Sequence, residues 1–316
     1  MLGRSAAATS HVRAVMTSQL LLIAALDGIA YAALVFVVSV GLTLIFGVLR
    51  VLNIAHGNLY AIGAYMAASF GIGIATARIS PWLSFPALAV AAIIVGIVLG
   101  SAIERLLLQR LYDKEEALQL LATFAVFMML DDAQRLIWGV QPYFVSTPLK
   151  LLGNVQIGAI TYTAYQIILL PLAAVAVLIG LRLYLRHTTS GRIILAVAED
   201  REAASAIGIN VSRVYLSTFV IGAVLAALGG SLASPTTSIL PGIGTDMLVL
   251  SFAVAASAGL GRIEGAAITA ILIGLGRSVA VYWAPELDVL VPYLIMTMVL
   301  LVKPHGMFST FQSRRI

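Results

Sequence analysis

The chain has 316 residues, of which 61% are hydrophobic and only 10% charged, with a net charge of +5 and no cysteine. Soluble domains carry roughly 45–50% apolar and about 25% charged residues, and their cores need a polar skin, so a water-soluble globule is excluded and lipid is the expected solvent. The lack of cysteine removes disulfide frameworks, thiolate metal sites and cysteine nucleophiles together.

Read in chain order, the charge-free runs place the helices. Residues 14–103 hold only Asp27, Arg50 and Arg78, and 151–181, 214–245 and 289–302 hold no Asp, Glu, Lys or Arg. A membrane helix needs about twenty mainly apolar residues. Residues 1–19 form a moderately basic N-terminal segment, but the apolar run after Gln19 is far longer than a signal-peptide core and contains Asp27, so cleavage is not expected. Helices are predicted near 20–48, 57–76, 84–108, 118–138, 161–184, 214–234, 246–261, 265–283 and 287–303. Two of these nine, at 246–283, are short enough to form a re-entrant hairpin instead of two spans. The fold class is therefore all-α and polytopic, with about eight transmembrane helices in a single domain over 1–316. Residues 140–160, with Pro142, Pro148 and Gly153, read as an external loop.

Charge sets the orientation. The loop 182–213 carries Arg182, Arg186, His187, Arg192, Arg201 and Arg213, and the segments at Arg105–Lys114 and Lys303–Arg315 share its sign, so all three are expected in the cytoplasm. Counting back through three spans puts the N-terminus outside, although Arg4, His11 and Arg13 favour the opposite. The nineteen basic residues lie between apolar blocks and are not interleaved with stacking aromatics, which excludes nucleic acid as a partner.

Several chemistries are missing. None of the three lysines, Lys114, Lys150 and Lys303, follows a glycine, so the chain has no phosphate-cradling loop of its own. There is no H-E-x-x-H, no G-x-S-x-G and no paired carboxylates on an apolar scaffold, and no catalytic residue, cofactor or metal site is expected. Asp131-Asp132, near Arg135 and Trp138, reads as an interfacial anchor.

Two stretches stand out. From Gly41 to Tyr65, Thr43, Arg50, Asn53, His56, Asn58 and Tyr60 interrupt strongly apolar sequence, with Gly57, Gly63 and small residues at 55, 61 and 64 forming a smooth face. Ionisable groups inside a membrane face protein or a watery cavity. Arg50 fits a cytoplasmic turn and a conduit lining equally, and His56 fits a packed structural role better. Thr43, Asn53, His56, Gly57 and Tyr60 are candidates for a translocation path or for helix packing. The second stretch, Thr189–Val211, reads as a short cytoplasmic helix stopped by Gly208, with Ala203, Ala204, Ile207 and Ile209 as a compact apolar surface. Mixed charges and no bulky aromatic suit docking to a protein rather than to lipid. A four-residue echo links Gly47-Val-Leu-Arg50 with Gly259-Leu-Gly-Arg262.

On these motifs the chain resembles the permease subunits of ABC importers for branched-chain amino acids and related amides, the LivH/LivM family. The Asn-x-Ala-His-Gly core at 53–57 is similar to that family's amino-terminal signature. Glu202-Ala203-Ala204 with Gly208 is similar to the EAA-x-x-x-G loop of importer permeases. Gly259–Ala266 and Lys303–Phe308 resemble the late signatures. Asn58 stands where the family often has an acid, and Ala258 where a glycine is usual.

The resemblance implies an inner-membrane, multi-pass transport subunit that is not itself an enzyme. Its implied partners are cytoplasmic ABC ATPase subunits, a second homologous permease, an extracytoplasmic solute-binding protein and the lipid bilayer. Glu202, Ala203, Ala204 and Gly208, within a coupling loop at 185–213, would carry the coupling to the ATPases. The rival is an ion- or proton-coupled secondary transporter of a small polar solute, which would need a titrating intramembrane acid, either Asp27 or Asp246.

Overall fold

A computed structural model of the chain describes residues 2–308 apart from 159, 260 and 305, and side chains from residue 19 onward. Arg314 and Arg315, the side chains of Arg4, His11 and Arg13, and His305 lie outside the described residues.

The first helix, α1 (Leu2–Leu49), is continuous over 48 residues, so the helix expected at 20–48 begins at Leu2 and takes in the N-terminal segment. Its apolar part, Gln19–Leu49, is long enough to cross a membrane. Residues 50–55 are not helical, and Arg50 turns the chain with a left-handed φ of 60°. Helix α2 (His56–Thr76) then starts inside the bundle, where His56 meets the carbonyl of Val38 on α1. Helices α3 (Ser84–Leu106) and α4 (Glu116–Trp138) follow.

The segment after α4 holds a short helix, α5 (Thr147–Leu152), and an antiparallel hairpin of β1 (Asn154–Ile157) and β2 (Ile160–Thr163), in register Asn154 with Thr163. The expectation of an all-α chain is corrected by this hairpin. The helix predicted to start at 161 instead starts after the hairpin, with a π-turn at Tyr165–Leu169 leading into α6 (Leu170–His187).

The second half comprises α7 (Thr189–Glu199), α8 (Arg201–Ala206), α9 (Val211–Ala233), α10 (Ile243–Ala258), α11 (Ile263–Trp283) and α12 (Leu290–Val302). Among the described residues, six helical stretches are long and apolar enough to cross a membrane: 19–49, 56–76, 81–110, 165–187, 211–233 and 263–283. The other apolar helices each fall short of one criterion. Helix α4 has 23 residues but carries Asp131, Asp132 and Arg135. Helix α10 has 16 residues, which is about 24 Å, and α12 has 13, both below the roughly 30 Å of a hydrocarbon core.

The two halves repeat one plan in opposite senses. Helix α1 is followed by the break at 50–55 and by α2; α9 is followed by a break at 234–242 and by α10. Helix α1 packs on α11, α9 packs on α3, and α1 and α9 pack on each other. The starts of the two following helices meet, because a Cβ on Gly57 of α2 or on Gly244 of α10 would strike the other's carbonyl, while the breaks themselves lie toward opposite ends, Arg50 beside Arg201 and Ile239 paired with Tyr143. The Gly47 and Gly259 echo does not mark this repeat, since it falls at the first break and at the α10–α11 turn. It marks a contact instead: Gly47 lies against Gly261.

Glycine lets the helix backbones touch, which drives association where lipid gives no hydrophobic reward. Gly230 on α9 lies against the Tyr60 carbonyl of α2, Gly41 against Gly222, and Gly96 on α3 against the Val224 backbone. The basic loops gather at one end, where Arg201 pairs with Asp113 at 3.5 Å and Arg186 with Glu264 at 3.3 Å. At the opposite end the segment after α4 is tied to the bundle by backbone bonds between Tyr143 and Ile239, and by Trp138 Nε1 donating to Ser69 at 2.8 Å.

Candidate functional site

The first break is the most polar part of the bundle interior. Asn53 and His56 are fully buried. Asn53 Oδ1 accepts from the Ala55 amide at 3.1 Å, turning the chain into α2, and its Nδ2 has no hydrogen-bond partner among the described residues. His56 Nε2 lies 3.0 Å from the Val38 carbonyl, which fixes the proton on Nε2. Nδ1 has no partner among the described residues. Thr43 is also fully buried and donates back to the Ser39 carbonyl at 2.7 Å, while Gly57 and Tyr60 lie against α10 and α9. Arg50 is exposed. The structure therefore brings Asn53, His56, Gly57 and Tyr60 together around the start of α2 and leaves Thr43 farther along α1.

Helix α4 clamps this break, a role the motifs did not reveal. Asn58 Nδ2 donates to the Phe127 carbonyl, Gln134 Nε2 donates to Asn58 Oδ1 at 3.2 Å, and Thr123 Oγ1 donates to the Leu52 carbonyl at 3.3 Å. The signal lay in the spacing. The buried residues of α4 are Gln119, Thr123 and Gln134, one polar stripe on a helix whose other faces are apolar and exposed. A polar inner stripe satisfies the backbone groups that a broken helix leaves open at membrane depth.

At the basic end, the single helix expected over 189–211 is two. Thr188 caps α7 by accepting from the Gly191 amide at 3.0 Å. Asp200, extended at φ −148°, ends α7 and caps α8, its Oδ1 accepting from the Glu202 and Ala203 amides at 3.0 Å each. An aspartate competes for nearby backbone donors, which is why it sits at a cap and not inside a helix. Gly208, at φ 88°, closes α8 as expected. Glu202, Ala203 and Gly208 are exposed and Ile207 is 78% exposed, but Ala204 is buried, so it does not belong to the outward surface assigned to it. Behind this loop lies a cavity of about 390 Å³ lined by Arg50, Lys114, Glu199 and Arg201. Its wall includes Tyr112, whose phenol is pushed up by burial and by the Glu104 carboxylate to which it donates at 3.2 Å.

A second polar cluster lies at the opposite end. Asp27 on α1 accepts from the hydroxyls of Tyr162 on β2 and Tyr282 on α11, one on each carboxylate oxygen. Arg277, inside α11, pairs with Asp288 at 3.4 Å and stacks 4.3 Å above the Tyr31 ring. Asp246 lies exposed in the first turn of α10, where the helix dipole favours it. Sequence reading singled out the two acids and passed over Arg277, a basic residue within a predicted span, which is itself the available signal. Among the described residues no three His, Asp or Glu side chains gather as a metal site would require.

A family model described as the permease component of the branched-chain amino acid transport system matches residues 24–300. The chain belongs to this family. The permease is 29% identical over 295 residues to the high-affinity branched-chain amino acid transport system permease protein LivH of Escherichia coli, covering 90% of this chain and 94% of that one. It is 28% identical over 293 residues to the corresponding protein BraD of Pseudomonas aeruginosa, at the same coverage. With the probable branched-chain amino acid transport permease LivH of Methanocaldococcus jannaschii, identity is 27% over 298 residues, 88% of this chain and 89% of the other. A chain of PsaBC from Streptococcus pneumoniae, solved with a Fab, aligns over 89% of this permease and 92% of its own length at a TM-score of 0.49 and 16% identity, a likeness too loose to bear on the site. As a multi-pass membrane protein of this family, the permease is a transport subunit.

Proposed function

We infer that the permease is the membrane subunit of an ATP-driven importer for branched-chain amino acids or related small amides, residing in the inner membrane. The family match over residues 24–300 carries this reading. It pairs with a second homologous permease, receives solute from an extracytoplasmic binding protein and is driven by cytoplasmic ATPases, which supply the nucleotide site this chain's sequence lacks. Residues 1–316 act as one permease domain. The basic loops mark the cytoplasmic end and the hairpin end faces outward, which puts the start of α1 outside. Nine helical passages fit this reading, close to the expected count of about eight, with α10 and α12 short and α10 starting inside the bundle.

The path runs beside the place where the starts of α2 and α10 meet. Asp246 supports this, since an exposed carboxylate on an inner helix belongs against water or a protein partner and not against lipid tails. The loop 185–213 is the coupling loop. Glu202, Ala203 and Gly208 form its contact surface, and Ala204 anchors α8 to the bundle. Closure of the ATPases moves this loop, and the movement reaches the break through the Arg50 and Glu199 cavity.

The test is ATP-driven leucine uptake by the complete importer in vesicles, comparing the wild type with Glu202→Lys. Reversing the charge on the contact surface is expected to reduce uptake at least about tenfold while the chain still assembles in the membrane. Wild-type uptake by the variant would remove the coupling role. Concentrative uptake by this chain alone on a proton or sodium gradient would favour the secondary-carrier reading.

A further inference from the structure

The outward end holds a cavity of about 390 Å³ between α1, the π-turn before α6, the loop after α9, and α11. Part of the lining is apolar, supplied by Ala30, Leu34, Leu170 and Val281. Beside these residues the lining carries fixed charges of both signs: Asp27, Arg277 and Asp288. We propose that this cavity is a binding subsite for the zwitterionic head of an aliphatic amino acid, with Arg277 taking the α-carboxylate, Asp288 and Asp27 facing the α-ammonium, and the apolar wall receiving the side chain.

The charges are arranged for exchange. Arg277 and Asp288 stand 3.4 Å apart with 31% and 28% of their side chains exposed, a loose, wetted pair that a zwitterion can replace at both halves. A guanidinium has five donors in a fixed fork suited to a carboxylate, and stacking on Tyr31 holds its plane in place. Asp27 is held still as well, since Tyr162 and Tyr282 each donate to one of its oxygens. A pair that merely stapled Asp288 to α11 would need neither a second carboxylate nor an open cavity beside it. The volume lies within the range of small-molecule sites, about 300–1,000 Å³. Thr237 stands exposed at the cavity's rim.

The subsite deepens the importer reading and rests on it for its physiological meaning, but binding can be measured without transport. The full chain in nanodiscs is examined by saturation-transfer NMR with leucine as the probe. Transfer to the leucine methyl groups is expected with the wild type and not with leucinamide, which lacks the carboxylate. Arg277→Gln is expected to weaken leucine binding about tenfold, the loss of one charge-assisted contact, and Arg277→Lys to restore part of it. Thr237→Trp, on an exposed position that tolerates substitution, closes the cavity without altering charge and is expected to abolish transfer even if Arg277→Gln fails to assemble. No transfer with the wild type, equal transfer to leucine and leucinamide, or wild-type binding by Arg277→Gln or Thr237→Trp would each overturn the subsite. Normal ATP-driven uptake alongside any of these results would leave the importer reading standing. Leucine binding without ATP-driven uptake by the complete importer would sink the importer reading alone.

Discussion

Gly230 and Gly73 show how the same residue can carry opposite weight. A Cβ at Gly230 would strike the Tyr60 carbonyl, while a Cβ at Gly73 meets nothing within 4 Å. Gly230→Ala should therefore destabilise the folded permease by about 1–3 kcal/mol through overpacking of backbone against backbone. Gly73→Ala, in a helix interior with open space, should be neutral or stabilising by up to about 1 kcal/mol. Thermal unfolding in detergent compares the two. Asn58 is decisive for a different reason: it satisfies both the Phe127 carbonyl and the Gln134 amide inside the bundle. Asn58→Ala leaves the buried Gln134 amide without that acceptor, at a cost of about 1–3 kcal/mol. Asn58→Asp puts a buried carboxylate against the Phe127 carbonyl oxygen, so it should destabilise at least as much as Asn58→Ala in the same unfolding measurement.

Among the elements, α8 is the most dependent on one side chain. It has six residues, too few to hold together by propagation alone, and Asp200 accepts from two of its first amides. Asp200→Ala should cost about 1 kcal/mol locally, and hydrogen exchange at the Glu202 and Ala203 amides should speed up about fivefold or more while α9 keeps its protection. If the loop transmits motion as proposed, ATP-driven uptake falls with it. Helix α4 depends in the reverse way on its neighbours. Its buried stripe is polar and its outer faces are apolar, so lipid or a second subunit covers the outside and the broken backbone at 50–55 covers the inside.

For the molecule as a whole, the repeated plan of α1–α3 and α9–α11 brings the starts of α2 and α10 together, as in transporters built from oppositely oriented repeats. Each break frees backbone groups, and setting the helix starts that follow in the protein interior keeps those groups out of lipid. The sidedness follows from the basic end and is directly measurable, because the chain has no cysteine to interfere with labelling. In intact cells an impermeant maleimide should modify Asn154→Cys, on the exposed face of the hairpin, and should spare Ile207→Cys until the membrane is opened. The opposite pattern would invert the topology.

The amino-acid sequence by itself determined the solvent and the rough extent of most of the apolar helices. It also determined the basic end, the Gly208 stop after the Glu-Ala-Ala motif and the family, since hydropathy, charge placement and short motifs are local properties that survive without a structure. Helix starts were legible to within a few residues except at 20, where α1 already runs from Leu2, and at 161, where the strand and π-turn of the hairpin could not be told from helix in an apolar run. Only the tertiary structure decided that Asp200 divides the cytoplasmic helix, that Ala204 points inward and that α4 clamps Asn58. The same holds for Arg277, Asp27 and Asp288, which share one cavity. Those facts depend on which face of a helix meets which neighbour, and residues 27, 277 and 288 become close only after distant helices pack, a relation that no local pattern encodes.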